Sequence, residues 1–170
     1  MRIYNISSVI LITLFFITSC ECEKDEHLTS EKDAIENLLD NYILANEKQD
    51  INLMQDIWAP LDNIIWIGTD SDERFIGWQE MQNALIDQFG YISNTYISSS
   101  NQTIRINCTS NTAWFSENLR YNYMYKDEAH SFEGLRFTGV LEKIDGTWKF
   151  VQAHLSIPAV VDIGDRKSVV

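Results

Sequence analysis

Residues 136–158 read RFTGVLEKIDGTWKFVQAHLSIP, and they carry the strongest indication of the fold in the whole sequence. Two runs rich in β-branched and aromatic residues flank a turn at Asp145 and Gly146, which is the pattern of a β-hairpin. Similar runs precede it and are again separated by short polar turns. The pattern predicts an antiparallel meander of four long strands. These strands cover 96–107, 112–125, 129–143 and 147–157.

The residues before the meander begin with two predicted helices. Ser30 and Asp33 match the S-x-x-[DE] capping pattern. Apolar residues then recur at i, i+3, i+4 and i+7, which predicts a helix over about 31–47. Asp50 can cap a second, short helix that stops before Pro60. The two helices are expected to form a hairpin.

Two short strands and a third helix complete the predicted order. The runs over 64–68 and 74–77 are β-branched and aromatic, and the polar turn between them predicts that they pair. Apolar residues from Trp78 to Phe89 repeat at helical spacing, and Gly90 is the expected end of that helix. The order is therefore helix, helix, two short strands, helix and four long strands, which predicts an α+β domain.

This element order and the C-terminal pattern resemble the NTF2-like superfamily, in particular its SnoaL-like branch and the association domain of calcium/calmodulin-dependent kinases. The matching residues are Ala113, Arg136, Thr138, Val140, Lys143, Gly146, Trp148, Val151, His154 and Ser156, together with the helix over 77–89. The resemblance covers about 30–158 and implies an α+β, NTF2-like cone. Three N-terminal helices pack in such a cone on a strongly bent, mostly antiparallel mixed sheet around a pocket, and the convex face often dimerises. No single reaction is implied, because the superfamily includes isomerases, dehydratases, cyclases, hydrolases, transport factors and association modules.

The first residues predict secretion and a lipid anchor. Arg2 is the only charge before an apolar run over 9–17, which is too short to cross a membrane as a mature helix. The residues leading to Cys20 resemble a bacterial lipobox, which implies a lipidated Cys20; the alternative is a plain secretory peptide. The expected location is the cell envelope, at the outer membrane and facing either the periplasm or the surface. The predicted segments are a signal peptide over 1–19, a lipidated tether over 20–28, the domain over 29–158 and a C-terminal tail over 159–170.

Charge and composition exclude several classes of partner. Lys and Arg number 13 against 25 Asp and Glu, a net charge of −12, which disfavours nucleic acid. Cys22 and Cys108 do not make a disulfide framework, and neither cysteines nor histidines have metal-ligand spacing, so no metal or cofactor is predicted. Asp70, Asp72 and Glu73 crowd one loop but lack the length and glycine of a known calcium site. A solvated acidic turn is the favoured interpretation.

The faces of the last hairpin depend on its turn. A two-residue turn at Asp145 and Gly146 would put Arg136 and His154 on opposite faces, whereas a three-residue turn over 144–146 would place them opposite each other. We favour the three-residue turn, which collects Arg136, Thr138, Gln152 and His154 on the convex face. The concave face would then be Leu135, Phe137, Leu141, Val151, Ala153 and Leu155. Arg136 and His154 are either a polar pair that supports the fold or a dimer interface, or a catalytic pair with His154 as base.

The same alternation applied to the strand over 112–125 turns one set of side chains towards the cone. The set is Ala113, Phe115, Glu117, Leu119 and Tyr121. A carboxylate in an apolar cavity has a raised pKa and can act as an acid or base, which makes Glu117 a catalytic candidate. The alternative is that Glu117 lies near the mouth and is solvated. Tyr121 is interpreted as a packing residue with a tethered hydroxyl.

The sequence and the family resemblance together predict a protein that binds a small hydrophobic or amphipathic molecule and contacts the membrane only through its lipid anchor. The resemblance also implies a homodimer. The candidate ligand-binding residues are Trp66, Met81, Phe89, Phe115, Leu119, Tyr121, Phe137 and Leu155. The alternative is that these residues only pack in the core. The arginines in the pocket of the kinase association domain align with Leu119, Gly139 and Leu155, so carboxylate ligands are not favoured. Two alternatives stay open: a cofactor-free isomerase, dehydratase or hydrolase using Glu117 or His154 as acid or base, and a pure association module with a filled cavity.

Overall fold

The structure is a computed structural model that describes residues 25–159. The predicted signal peptide, Cys20 and nearly all of the predicted tail lie outside this range, as do the first residues of the tether. Within the described range no helix is long and apolar enough to span a membrane.

The predicted element order is confirmed, and the described residues form three helices and six strands. They are α1 (Asp25–Lys48), α2 (Ile51–Ile57), β1 (Ile65–Ile67), β2 (Arg74–Ile76), α3 (Trp78–Tyr91), β3 (Ile92–Ile106), β4 (Thr112–Tyr125), β5 (Glu128–Ile144) and β6 (Thr147–Ser156). Asp50 caps α2, since its side chain accepts hydrogen bonds from the backbone N–H groups of Asn52 and Leu53.

Two predicted helix ends are wrong. Ser30 lies inside α1 rather than at its cap, because the helix includes residues N-terminal to it and His27 reaches Glu31 one turn later, with 3.5 Å between Nε2 and Oε1. Gly90 does not end α3. The helix continues to Tyr91, and the backbone N–H of Ile92 still bonds the carbonyl of Gln88 where the chain enters β3 directly.

The six strands form one mixed sheet in the order β2-β1-β6-β5-β4-β3. The β1–β6 pair is parallel and all other pairs are antiparallel. The three helices pack on one side of this strongly curved sheet, which is the α+β, NTF2-like cone expected. Gly139 allows a close approach between β5 and its neighbours: a Cβ there would lie 2.5 Å from the carbonyl oxygen of Gln152 and 2.6 Å from the ring of Phe115.

The three-residue turn predicted for the last hairpin is wrong. Asp145 and Gly146 both have positive φ, 49° and 80°, and form a two-residue turn between the paired Ile144 and Thr147. The pairing then shifts between Val140 and Leu141, so that β6 carries one extra residue there. The shorter turn and this bulge each exchange the inward-facing and outward-facing residues of β6 relative to the prediction, so their effects cancel beyond the bulge.

The bulge changes which residues of β6 face the helices. Trp148 and Phe150 are buried there, whereas Val151, predicted for the concave face, is the extra residue of the bulge. Beyond the bulge the predicted faces hold, and Ala153 is buried in the core. Arg136 and His154 lie on the convex face as predicted, but they are not opposite each other. Their partners across the strands are Ser156 and Thr138.

A buried carboxylate fastens α1 to the last hairpin. Glu31 accepts hydrogen bonds from the Nζ of Lys143 and, at 2.7 Å, from the Nε1 of Trp148. Burial alone would raise the pKa of Glu31, but these two hydrogen bonds and the positive charges of Lys143 and His27 outweigh it and lower that pKa. The helix is therefore fixed to the sheet at one end of the cone by a charged contact.

Candidate functional site

A cavity of about 240 Å³ lies between the helices and the concave face of the sheet. Every helix and every strand contributes to its lining. The other end of the cone is filled: the rings of Phe115, Phe137 and Phe150 pack with centroids 4.9–6.1 Å apart. Gln88 and Phe132 are the exposed residues of the lining and mark where the cavity meets solvent.

The wall of the cavity is mainly aromatic. Trp66 is central to it, since its ring centroid lies 5.9 Å from that of Tyr42 and 6.1 Å from that of Trp58. The aromatic lining residues are Tyr42, Trp58, Trp66, Phe75, Tyr121, Tyr123 and Phe132. Such a wall suits an apolar or planar molecule.

The polar groups of the lining are largely neutral. Burial raises the pKa of Tyr42 well above its usual value, and the nearby Tyr121 and Glu117 add to this. Burial likewise raises the pKa of Tyr121 to about 12, although Gln88 donates a hydrogen bond to its hydroxyl. The indole N–H of Trp58 is buried and has no acceptor among residues 25–159. The two hydroxyls can thus offer hydrogen bonds without carrying charge.

Glu73 supplies a carboxylate to the cavity lining. The sequence assigned it to a solvated acidic turn and did not identify it as a lining residue. Its neighbours Asp70 and Asp72 are exposed, as expected for a solvated acidic turn, but Glu73 is partly buried at the cavity. Gly68 makes this possible, because a Cβ at that position would lie 2.1 Å from Oε2 of Glu73. The same Oε2 accepts a hydrogen bond from the backbone N–H of Asp70 at 3.0 Å, which fixes the carboxylate.

The structure separates the candidate ligand-binding residues into two groups. Four line the cavity: Trp66, Met81, Tyr121 and Leu155. The other four pack beside it in the core: Phe89, Phe115, Leu119 and Phe137. A role in ligand binding stays a prediction for both groups. Tyr42, Trp58 and Phe75 also line the cavity; in the sequence their only signal was an apolar position of a helix or strand.

Glu117 is buried, not solvated, and does not line the cavity. It lies opposite Phe137 in the sheet, next to the bulge of β3 between Ser100 and Thr103. Its Oε2 accepts a hydrogen bond from Nε2 of Gln102 at 2.9 Å, whereas Oε1 has no hydrogen-bond partner in the described part of the chain. Burial raises the pKa of Glu117, and the charge of Asp40 adds to the rise against the opposing effect of Gln102.

We expect Glu117→Gln to stabilise the protein at neutral pH and not in acid. The folded carboxyl has a raised pKa, so the native state loses stability as pH rises through that value, and an amide removes this loss. Each kcal/mol regained should raise the thermal midpoint by about 2–4 °C in a chain of this size. The measurement is thermal unfolding at pH 4 and pH 7, with the exposed Glu133→Gln as control. A midpoint at pH 7 that falls below that of the native chain would contradict the prediction.

Arg136 and His154 lie on the side of the sheet away from the cavity. Arg136 is exposed and His154 is partly buried, and no ion pair or side-chain hydrogen bond joins them in the part of the chain described. The structure therefore does not bring the proposed catalytic pair to the cavity. Residues 25–159 also contain no group of three or more His, Cys, Asp or Glu side chains that could hold a metal ion.

Comparison with known proteins gives a consistent picture of the fold. Residues 35–160 match the family model of the SnoaL-like domain. An NTF2-like superfamily protein from Salmonella enterica has a TM-score of 0.72 and 18% identity over 82% of this chain and 99% of its own. A candidate scytalone dehydratase from Novosphingobium aromaticivorans has a TM-score of 0.71 and 16% identity over 84% and 94%. A candidate calcium/calmodulin-dependent protein kinase II association domain from Xanthomonas campestris has a TM-score of 0.65 and 20% identity over 75% and 87%. No curated protein matches the sequence.

Proposed function

Because this chain belongs to the SnoaL-like domain family, we propose that it holds a small hydrophobic or amphipathic molecule in the cavity of its cone. We further propose that the protein is a homodimer, anchored to the cell envelope through a lipid on Cys20. The observation that carries the ligand-binding proposal is the cavity of about 240 Å³ with its aromatic wall.

The size of the cavity limits the ligand. An engineered protein cavity of about 150 Å³ is enough for benzene, and drug-sized ligands occupy pockets from about 300 Å³ upwards. The volume here lies between these values. A molecule with one substituted ring, or two small rings, therefore fits the space.

The convex face supports the dimer. Along one row of the sheet, Ile76, Ile65, Val140 and Trp114 follow one another across the strands, with Gln152 between them. Trp114 is 51% exposed and Ile76 is 43% exposed. A second copy packed on this row would cover apolar side chains that no helix of the described chain covers.

Catalysis has weaker support than binding. Of the two candidate acids or bases, Glu117 is buried and does not line the cavity, and His154 lies on the opposite face of the sheet. The superfamily's dehydratases and isomerases make such an activity the first alternative. The three relatives, at 16–20% identity, support only the shared fold. Binding without turnover is the function that the cavity favours.

The test introduces a large side chain into the cavity from α3. Ala84 lines the cavity, and its neighbour Asn83 is exposed and does not. We expect the native protein to bind tert-butylbenzene in isothermal titration calorimetry and Ala84→Phe to weaken that binding at least about tenfold, because the new ring occupies the ligand's space. Asn83→Phe is the control and should bind as the native protein does. Unchanged binding to Ala84→Phe would refute the proposal, and so would absence of binding to the native protein both by tert-butylbenzene and by charged molecules of the same shape.

A further inference from the structure

The charge of the cavity lining is one-sided. Glu73 supplies a carboxylate, and none of the described lining residues is Lys, Arg or His. The remaining lining is aromatic, aliphatic or neutral and polar. The chain as a whole carries a net charge of −12. An anionic ligand would meet no compensating charge in this cavity, whereas a cationic one would.

The carboxylate lines the same cavity as two aromatic rings of the β1–β2 hairpin. Glu73 precedes Phe75 by two residues, and Phe75 pairs with Trp66 across β1 and β2 so that both rings line the cavity. Oε2 of Glu73 is occupied by the N–H of Asp70, and no described residue donates a hydrogen bond to Oε1. A cavity lined by a carboxylate and aromatic rings suits an organic ammonium group, since ring quadrupoles and the negative charge attract the same cation.

We propose that the cavity takes an organic cation, that is, a substituted ammonium carried on an apolar body. The ammonium group contacts the carboxylate of Glu73 and the rings of Trp66 and Phe75, and the apolar body fills the space bounded by Met81, Leu85 and Leu155. The inference rests on the proposed function, because it assigns a ligand class to the same cavity.

The experiment compares three probes of similar shape and different charge. They are phenyltrimethylammonium, its neutral isostere tert-butylbenzene, and the anion benzenesulfonate, each titrated into the purified protein while tryptophan fluorescence is recorded. Trp58 and Trp66 line the cavity and report its occupancy. We expect the cation to bind at least about tenfold more tightly than the neutral isostere, and the anion not to bind.

Two variants locate the charge that is responsible. Glu73→Gln keeps an oxygen for the N–H of Asp70 but removes the charge, and should abolish the preference for the cation while the neutral probe still binds. Asp72→Asn removes the same charge from an exposed position of the same loop and should leave the preference unchanged. The probes alone are decisive if Glu73→Gln does not fold.

The outcomes separate the two proposals. Equal or tighter binding of the neutral probe to the native protein would overturn the cation inference and leave the binding function standing. A preference that persists in Glu73→Gln would place the selecting charge elsewhere and would also overturn it. Failure of all three probes to bind would overturn both proposals.

Discussion

Replacement of Phe137 by alanine is expected to lower the free energy of unfolding by about 3–5 kcal/mol. The side chain is fully buried, and its ring lies at the centre of the filled part of the cone. It stacks on Tyr42 of α1 at 4.5 Å and meets the edge of Phe115 at 4.9 Å. Truncation would remove both aromatic contacts and leave a void that the rigid sheet around it cannot close.

The control for this prediction is the same substitution at an exposed site of the same strand. Phe132 is 39% exposed at the mouth of the cavity, and Phe132→Ala should cost about 1 kcal/mol or less. Urea denaturation followed by circular dichroism gives both values. If the two variants lost similar stability, Phe137 would not be the packing centre that links α1 to the sheet.

Much of the fold could be predicted because alternation along a strand is a local property. The buried residues Phe115, Leu119 and Tyr121 follow from it directly. The last hairpin could not be predicted in the same way, because its faces depend on a turn and on a bulge at Val151. The turn is one residue shorter than predicted and the bulge adds one residue to β6, so the two changes in inward–outward alternation cancel beyond the bulge. Arg136 and His154 were therefore placed on the correct face through an incorrect register.

The cavity was harder to predict than the fold. Phe115 and Tyr121 are alternate inward residues of one strand, yet the first packs in the core and the second lines the hollow. The difference depends on how closely the helices approach the sheet at each level, which no local pattern encodes. Glu73 escaped prediction because an acidic residue in a polar loop is normally solvated. Gly68 was the available signal, since its missing Cβ gives the carboxylate its place.

The second large effect concerns the contact between α1 and the last hairpin. Glu31→Ala is expected to lower the free energy of unfolding by about 3 kcal/mol at pH 7, because hydrogen bonds to a charged group contribute about 1.5–3 kcal/mol each and two are lost. The indole N–H of Trp148 would also remain buried without its acceptor. Lys143, which is less buried, can turn towards water and should account for the smaller share of the loss.

The loss of stability should depend on where a carboxylate lies on α1 and not merely on its presence in that helix. Glu36 lies on the same helix and pairs with Lys32 at 3.2 Å on the surface, so Glu36→Ala should change stability by less than about 0.5 kcal/mol.

The pKa of Glu31 is lowered in the folded state, so its contribution to stability is complete above pH 4.5 and is lost as pH falls through the folded value. The stability lost in Glu31→Ala should therefore become smaller in acid. The stability gained in Glu117→Gln should also disappear there. Urea denaturation at pH 7 and pH 3 checks both trends. A cost for Glu31→Ala as small as that for Glu36→Ala would mean that apolar packing alone holds α1 on the sheet.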